Sequence, residues 1–522
     1  MTTYLFLIGG TGSRVLRSLT MLLASGVKKI PGDNRIIPVI IDYDASNEDL
    51  RRTNELLARY RALHKYGDYI NDAFKLDENG KVDPNGKEAG FFRVPIGELQ
   101  HRAQISFESE RNTFSKLIGY PNLDSKSMET KLLIDSLYDT SAAGSGSEEL
   151  NLALTVGFQG NPNIGSVVIN DYFKSDQFSE VLENFNENDR IFIVGSIFGG
   201  TGSSGLPQLV RKIRQSDSEN LDKTCRTAPE PVRNAKVGAC IVMPYFGVKK
   251  KNGSTINSES FNSKAKAALS YYNSAGINDM MDEVYYIACG KTGAYDNNIG
   301  GKDQKNDAHL VELISAMSII EFINHSGERG KENQKFYTYT SMNGLTENDE
   351  IKEESFQDLL ARPSANSDVY TNYVKCLNEF ALFSKFFNIN TKVQAAKKGL
   401  FSSKEEYYKR LETALKPGSD FKERLDEFIN QEFIPWTDEM KRNVQMKFHA
   451  YDFDKDINKI LKLDSSEDQK VKGLEDVMVR AIAEYIGQEK FDKAAVAKQA
   501  KFFLRAAYMA SETAVQKYNI EG

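Results

Sequence analysis

The chain of 522 residues carries 73 acidic and 67 basic side chains, a net charge of -6, and is 40% apolar. That is room for two or three domains around a large core, and a charge balance that offers nucleic acid no basic surface. Four scattered cysteines without a CxxC pair and five histidines without helical spacing exclude a disulfide framework and a local metal cluster, and with no run long enough for a membrane span or signal peptide they point to the reducing cytoplasm.

Residues 4–8 (YLFLI) predict a first strand. Gly9, Gly10, Thr11, Gly12 and Ser13 follow, and Val15, Leu16, Leu19, Leu22 and Leu23 then recur at helical spacing up to Gly26, a natural stop. A strand, a glycine turn and a helix start make a phosphate cradle. Glycine lets the backbone approach an anion, and the helix N-terminus presents unpaired N–H groups. The unit also suits a dinucleotide site, although Val15 stands where a GxGxxG fingerprint begun at Gly10 requires glycine. Arg14 could meet a phosphate, but reads rather as a solvated helix residue. Residues 36–41 (IIPVII) predict a second strand, with Pro38 marking an edge or a strand start. It ends in Asp42 and Asp44, whose carboxylates suit Mg²⁺ or its waters, a helix N-cap, or the ribose of a dinucleotide. From about residue 52 to 150 a polar, turn-rich stretch reads as a mainly helical insertion with surface loops.

Residues 152–156 predict a strand that leads into Gly160 and Asn161. Residues 191–194 (IFIV) predict a buried strand breaking into Gly199, Gly200, Thr201, Gly202 and Ser203, after which LPQLVRKIR starts a helix. This is a second candidate cradle. Further strands are expected at 236–243, ending at Pro244, Tyr245 and Phe246, and at 284–288. Gly290-Lys291-Thr292 follows the latter but lacks the first glycine of a Walker A loop. Asp307–Ile323 is the most apolar helix pattern in the chain. The alternation predicts an α/β fold: a three-layer, mostly parallel sheet with helices on both faces and ligand loops at the carboxyl ends of its strands. Beyond one strand at 336–341 the pattern is mainly helical. The expected division is a nucleotide-binding domain at 1–325 and a helical C-terminal domain at 326–522.

These loops, in this order, resemble those of the tubulin/FtsZ superfamily, most closely its divergent bacterial tubulin-like branch. FGGTGSSGLP (198–207) is similar to the GGGTGSG signature, and GNPNIG (160–165) to the G-N-P-E-(I/V)-G loop. IGGTGS (8–13) takes the place of the first glycine loop, Asp42-x-Asp44 of the second loop, and MPYF (243–246) of the K-P-F-x-F turn. Phe198 and Ser204 depart from the signature's glycines, and the insertion is longer than FtsZ's.

The resemblance implies GTP/GDP and Mg²⁺ as ligands. Backbone amides of Gly9–Ser13 and Gly199–Ser203 would hold the phosphates, with Gly160 and Asn161 over the γ-phosphate and Pro244 in the adjoining turn. Asp42 or Asp44 would meet Mg²⁺ or its waters, and Asn306 or Asp307 would select guanine. Head-to-tail self-association would bring Glu347 or Asp349, in the nearest match to the catalytic G-x-x-N-x-D loop, to a neighbour's site. Three functions stay open at this point: a self-assembling GTPase or nucleotide switch, a catalytically weak GTP-binding scaffold that docks partners through its C-terminal helices, and an NAD(P)-dependent Rossmann oxidoreductase.

Overall fold

Six short runs rich in branched and aromatic residues lie side by side in one all-parallel sheet. They are β1 (Thr2–Ile8), β2 (Arg35–Ile41), β3 (Arg190–Ser196), β4 (Lys236–Val242), β5 (Glu283–Ala288) and β6 (Lys335–Thr340). Their order is β2-β1-β3-β4-β5-β6, with Leu5 opposite Pro38 on one side and Phe192 on the other. The structure, a computed structural model, describes residues 1–27, 30, 34–44, 47–67, 90–101, 112–123, 127–138, 149–154, 158, 160–219, 223–249, 258–288, 294–295, 306–325, 335–340, 346–347, 350–351, 373, 375–393, 420–442, 500, 503–505 and 507–512.

Strands of a parallel sheet are covered on both faces, so alternate residues feed two cores. Leu5, Leu7, Phe192, Val194 and Val242 enter the first, beneath α1 (Gly9–Ala24), α2 (Glu48–Gly67) and α8 (Leu310–Asn324). Tyr4, Phe6, Ile8, Ile191, Ile193 and Ile241 enter the second. Its cover is α3 (Met128–Tyr138), α4 (Pro162–Val168), α5 (Asp176–Asn184), α6 (Gly200–Arg214) and α7 (Ser258–Ser274).

The two glycine runs expected as loops are instead the first turns of α1 and α6. Pro207 lies inside α6 and cannot donate to the Ser203 carbonyl one turn back. The Tyr272 hydroxyl donates to that carbonyl instead, at 3.1 Å. Gly26, at φ 80°, closes α1 as expected, its N–H returning to the Leu23 carbonyl. The helix expected from Asp307 starts three residues later. His309 caps it: its Nδ1 accepts the Val311 N–H at 3.1 Å, and Glu312 accepts the His309 N–H at 3.0 Å.

The strand expected at 152–156 is not part of the sheet. Ala153 bridges antiparallel to Thr113, and Leu154 N donates to Asn112 O at 3.0 Å; residues 155–157 lie outside the described residues. Both flanks of β1 are occupied by β2 and β3, so this apolar segment pairs within the insertion. The insertion is more than surface: α2 buries Leu56, Tyr60 and Leu63, and Phe91 and Phe92 are fully covered. Ile96 bridges Ile36 in parallel on the outer side of β2, with Gly97 N on Ile36 O at 2.8 Å. Ile36 thus directs its hydrogen bonds outward. Pro38, two residues on, points its missing N–H the same way, where no ladder needs it.

The core continues across residue 325. β6 lies beyond that point, and so do α9 (Lys375–Val393), α10 (Asp420–Glu427) and α11 (Ile434–Lys441), the last two joined by a π-helical turn at Phe428–Phe433. Phe380, Phe383, Phe428 and Trp436 share the first core with Phe91 and Phe92. The Phe91 and Phe380 rings meet edge-on at 5.0 Å, and Trp436 Nε1 donates to Ser18 Oγ at 3.4 Å. The segments 394–419 and 443–499 lie outside the described residues. Among the described residues no helix is long and apolar enough to cross a membrane.

At the amino ends of the strands, Glu283 accepts from Lys236 at 2.6 Å, Tyr285 at 2.8 Å and His325 at 3.0 Å. Burial opposes its charge, but the hydrogen bonds from His325, Lys236 and Tyr285 prevail and hold its carboxyl at about 2. Its contribution to stability is therefore complete above its ordinary 4.5 and is lost as pH falls toward 2. Thermal unfolding between pH 6 and 3 should show this acid limb, and Glu283→Gln should flatten it. Trp436→Ala should cost about 3–5 kcal/mol. In denaturant, far-ultraviolet circular dichroism should record one transition for sheet and C-terminal helices together; an early, separate loss of helix would contradict a shared core.

Candidate functional site

The chain leaves β1 toward the first core through α1, and leaves β3, its sheet neighbour, toward the second core through α6. Loops that diverge from adjacent strands open a crevice at their carboxyl ends. The glycines let the backbones meet there. A Cβ built on Gly9 would lie 3.4 Å from the Cβ of Thr201. One on Gly200 would lie 2.8 Å from Phe158 Cβ, 3.1 Å from Gly160 N and 3.3 Å from Asn161 N. Gly12 and Gly202 seat the two helices on their strands: a Cβ would come within 2.6 Å of the Leu7 carbonyl carbon and 2.5 Å of Ser196 O.

Three helices thus begin at one opening. Ile8, Gly199 and Asn161, at their N-caps, give no side-chain cap to α1, α6 or α4. The amides of an uncapped first turn, at the positive end of the helix dipole, suit an anion. Gly10, Gly160, Asn161, Gly199 and Thr201 are half-buried and line the opening, with Gly9, Thr11, Gly12, Ser13, Gly200, Gly202 and Ser203 buried behind them. The hydroxyls turn inward. Ser203 donates to the Gly199 and Gly200 carbonyls, Thr11 accepts from Arg14 at 3.3 Å, and Ser13 Oγ is buried without a partner. The groups offered at the mouth are backbone N–H donors.

Arg14, expected in solvent, is 3% exposed beneath this opening. Its Nε donates to Glu312 at 2.7 Å, Nη1 to Asp49 at 2.9 Å and Nη2 to the Tyr245 hydroxyl at 3.0 Å. Burial opposes its charge, but Tyr245, Glu312 and Asp49 overcompensate and the guanidinium stays firmly protonated. The Tyr245 hydroxyl in turn donates to Glu312 at 2.6 Å. Tyr245 follows half-buried Pro244 in the turn after β4. Phe198 braces that turn, its ring 5.5 Å from Phe246 and 5.2 Å from Phe261 on α7.

At the end of β2, Asp42 Oδ1 accepts the Asp44 N–H at 3.1 Å, while Oδ2 is buried with no partner among the described residues. Burial, reinforced by Asp44 and Asp49, pushes its carboxyl up to about 7. The N-cap role open to Asp42 and Asp44 belongs instead to Asn47, whose Oδ1 accepts the Asp49 N–H at 2.8 Å. Among the described residues no group of three His, Cys, Asp or Glu side chains is placed to hold a metal.

Asp307 is turned to other work. Both its oxygens accept from Arg442, at 2.9 and 2.8 Å, tying the segment before α8 to the end of α11. Because α8 starts only at Leu310, Asn306 and Asp307 lie outside the helix rather than at its head. Thr346–Glu347 pairs antiparallel with Glu350–Ile351; Asp349, the Glu347 side chain and Gly290–Thr292 lie outside the described residues. The sequence reading passed over Lys264 on α7, whose Nζ donates to the Gly160 carbonyl at 2.7 Å. Nothing in its local sequence marks it.

No protein-family model, no curated protein and no solved structure matches this chain.

Asp42 gives this site a pH signature. A carboxyl held at about 7 when folded and at its ordinary 3.8 when unfolded lowers stability as pH rises between those values. Asp42→Asn removes that slope. Relative to wild type, the variant should gain stability from pH 4 to 7 by up to ~1.4 kcal/mol per pH unit and level off above it, measured by denaturant midpoints.

Proposed function

We propose that the crevice between β1 and β3 binds a nucleoside triphosphate, and that the nucleotide is GTP, after the tubulin/FtsZ pattern its loops resemble. The observation that carries this reading is the meeting of two uncapped helix starts, at Gly9–Thr11 and Gly200–Gly202, at a strand-order reversal, with the Gly160 turn packed against the second. One anion-binding turn is common. Two that meet at adjacent strand ends suit the extended charge of a polyphosphate chain. Asp42, with its unpartnered oxygen and a carboxyl that titrates near neutrality, fits as one ligand of a Mg²⁺ ion otherwise held by phosphate oxygens and water. The bound ion would supply charge neutralisation to the phosphates.

Self-association through this face and a place in the reducing cytoplasm belong to the same reading; Cys225, Cys240 and Cys376 are buried. Phosphate release that rises more than linearly with protein concentration would mark a hydrolytic site completed between subunits.

A second reading has one observation in its favour. With Ile96 outside β2, the strand order becomes that of a dinucleotide-binding fold, and Asp42 ends the second strand, where an acid meets ribose. Denaturing the purified protein and identifying what it releases separates the two: guanine nucleotide supports the first, nicotinamide the second. Thr201→Glu then tests the cradle. A carboxylate in the first turn of α6 favours the helix but repels phosphate. Nucleotide affinity should fall about tenfold or more with no loss of ligand-free thermal stability. Unchanged affinity would remove α6 from the site.

A further inference from the structure

The turn at Gly160 and Asn161 has two sides. Its Gly160 and Asn161 nitrogens face Gly200 in the first turn of α6. Its Gly160 carbonyl receives Lys264 Nζ, which approaches to 3.0 Å of the place a Gly160 Cβ would occupy. Gly160 sits at φ 79°, so the turn holds a left-handed conformation that leaves room for the ammonium.

The surroundings of Lys264 leave its charge incompletely answered. It is half-buried, a carbonyl is a neutral partner, and an ammonium has two further protons to donate. Burial draws its pKa down, and among the described residues Glu149 alone opposes that. Glu149 itself has Oε2 buried without a hydrogen bond, and burial raises its pKa against the pull of Lys264. The two charges act on each other without contact. By comparison, Arg14 has two carboxylates within 2.9 Å.

We propose that Lys264 is the cation that binds the terminal phosphate of the nucleoside triphosphate, exchanging the Gly160 carbonyl for a phosphate oxygen. This rests on the crevice reading above. A flexible four-carbon stem lets the ammonium move between the two acceptors, and a doubly charged terminal phosphate is a far stronger partner than an amide oxygen. Lys264 then distinguishes triphosphate from diphosphate, and releases or regains the Gly160 turn as it does so.

The test is calorimetric titration of the full chain with GTP, GDP and GMP, in wild type, Lys264→Gln and Lys264→Arg. Glutamine removes the charge and keeps an N–H donor, on a side chain one bond shorter. Lys264→Gln should weaken GTP about tenfold or more and GDP less than about threefold, with ligand-free thermal stability unchanged; Lys264→Arg should recover most of the loss. Equal weakening of GTP and GDP, or no weakening of GTP, overturns the assignment. Wild type that binds none of the three overturns the crevice reading and the lysine's role with it, a result told apart because the unmodified protein already fails.

Discussion

A single buried guanidinium fixes the geometry of the crevice. Arg14 rises from α1 and is gripped by Asp49 of α2, Glu312 of α8 and the Tyr245 hydroxyl in the turn after β4. All four side chains are 3% exposed or less, so no partner can leave without stranding charge in the interior. Breaking such a pair by removing one member typically costs about 3–5 kcal/mol. Glu312 also completes the cap of α8 with His309, whose own pKa falls to about 3 through burial and then the nearby Arg14. One carboxylate thereby sets both the start of α8 and the orientation of the arginine below the first glycine turn. A second cluster extends the tie: Glu439 of α11 accepts from Arg17, Arg52 and the Ala308 N–H. The C-terminal helices are anchored to the same wall of the site, as well as sharing its core.

The parts of this arrangement legible in the sequence are those decided by neighbours along the chain. Strand and helix periodicity located β1 to β6, Gly26 marked the end of α1, and Pro38 marked an outward-facing edge position. Glycine is a poor residue for a helix interior, so Gly9–Ser13 and Gly199–Ser203 read as loops. They are first turns, where amides lack intrahelical partners anyway and the absent side chains allow contact with the strands.

What failed to show depends on distant partners. Arg14 looks solvated beside Val15 because its three ligands stand 35, 231 and 298 residues away. Lys264 is 104 residues from the carbonyl it touches. The 152–154 segment has the composition of a sheet strand, but its antiparallel partner is Thr113 in the insertion, which composition does not encode. Asp307 read as a ligand for a base because nothing near it in sequence announces Arg442.

The charged groups near these loops are of two kinds, told apart by compensation rather than by burial. Arg14 is the most deeply enclosed, yet its donors are met by two carboxylates and two hydroxyls, so it has nothing left for a ligand and acts as a strut. Asp42 and Lys264 are less enclosed but less completely matched, the first with an oxygen that has no partner and the second resting on a neutral carbonyl. Burial without compensation costs free energy in the ligand-free protein, and that cost is recovered only when a group of opposite charge arrives. Asp42 is suited to a cation and Lys264 to an anion. On the proposed reading a metal–polyphosphate complex carries both, and the uncapped first turns of α1 and α6 offer amides for its remaining charge.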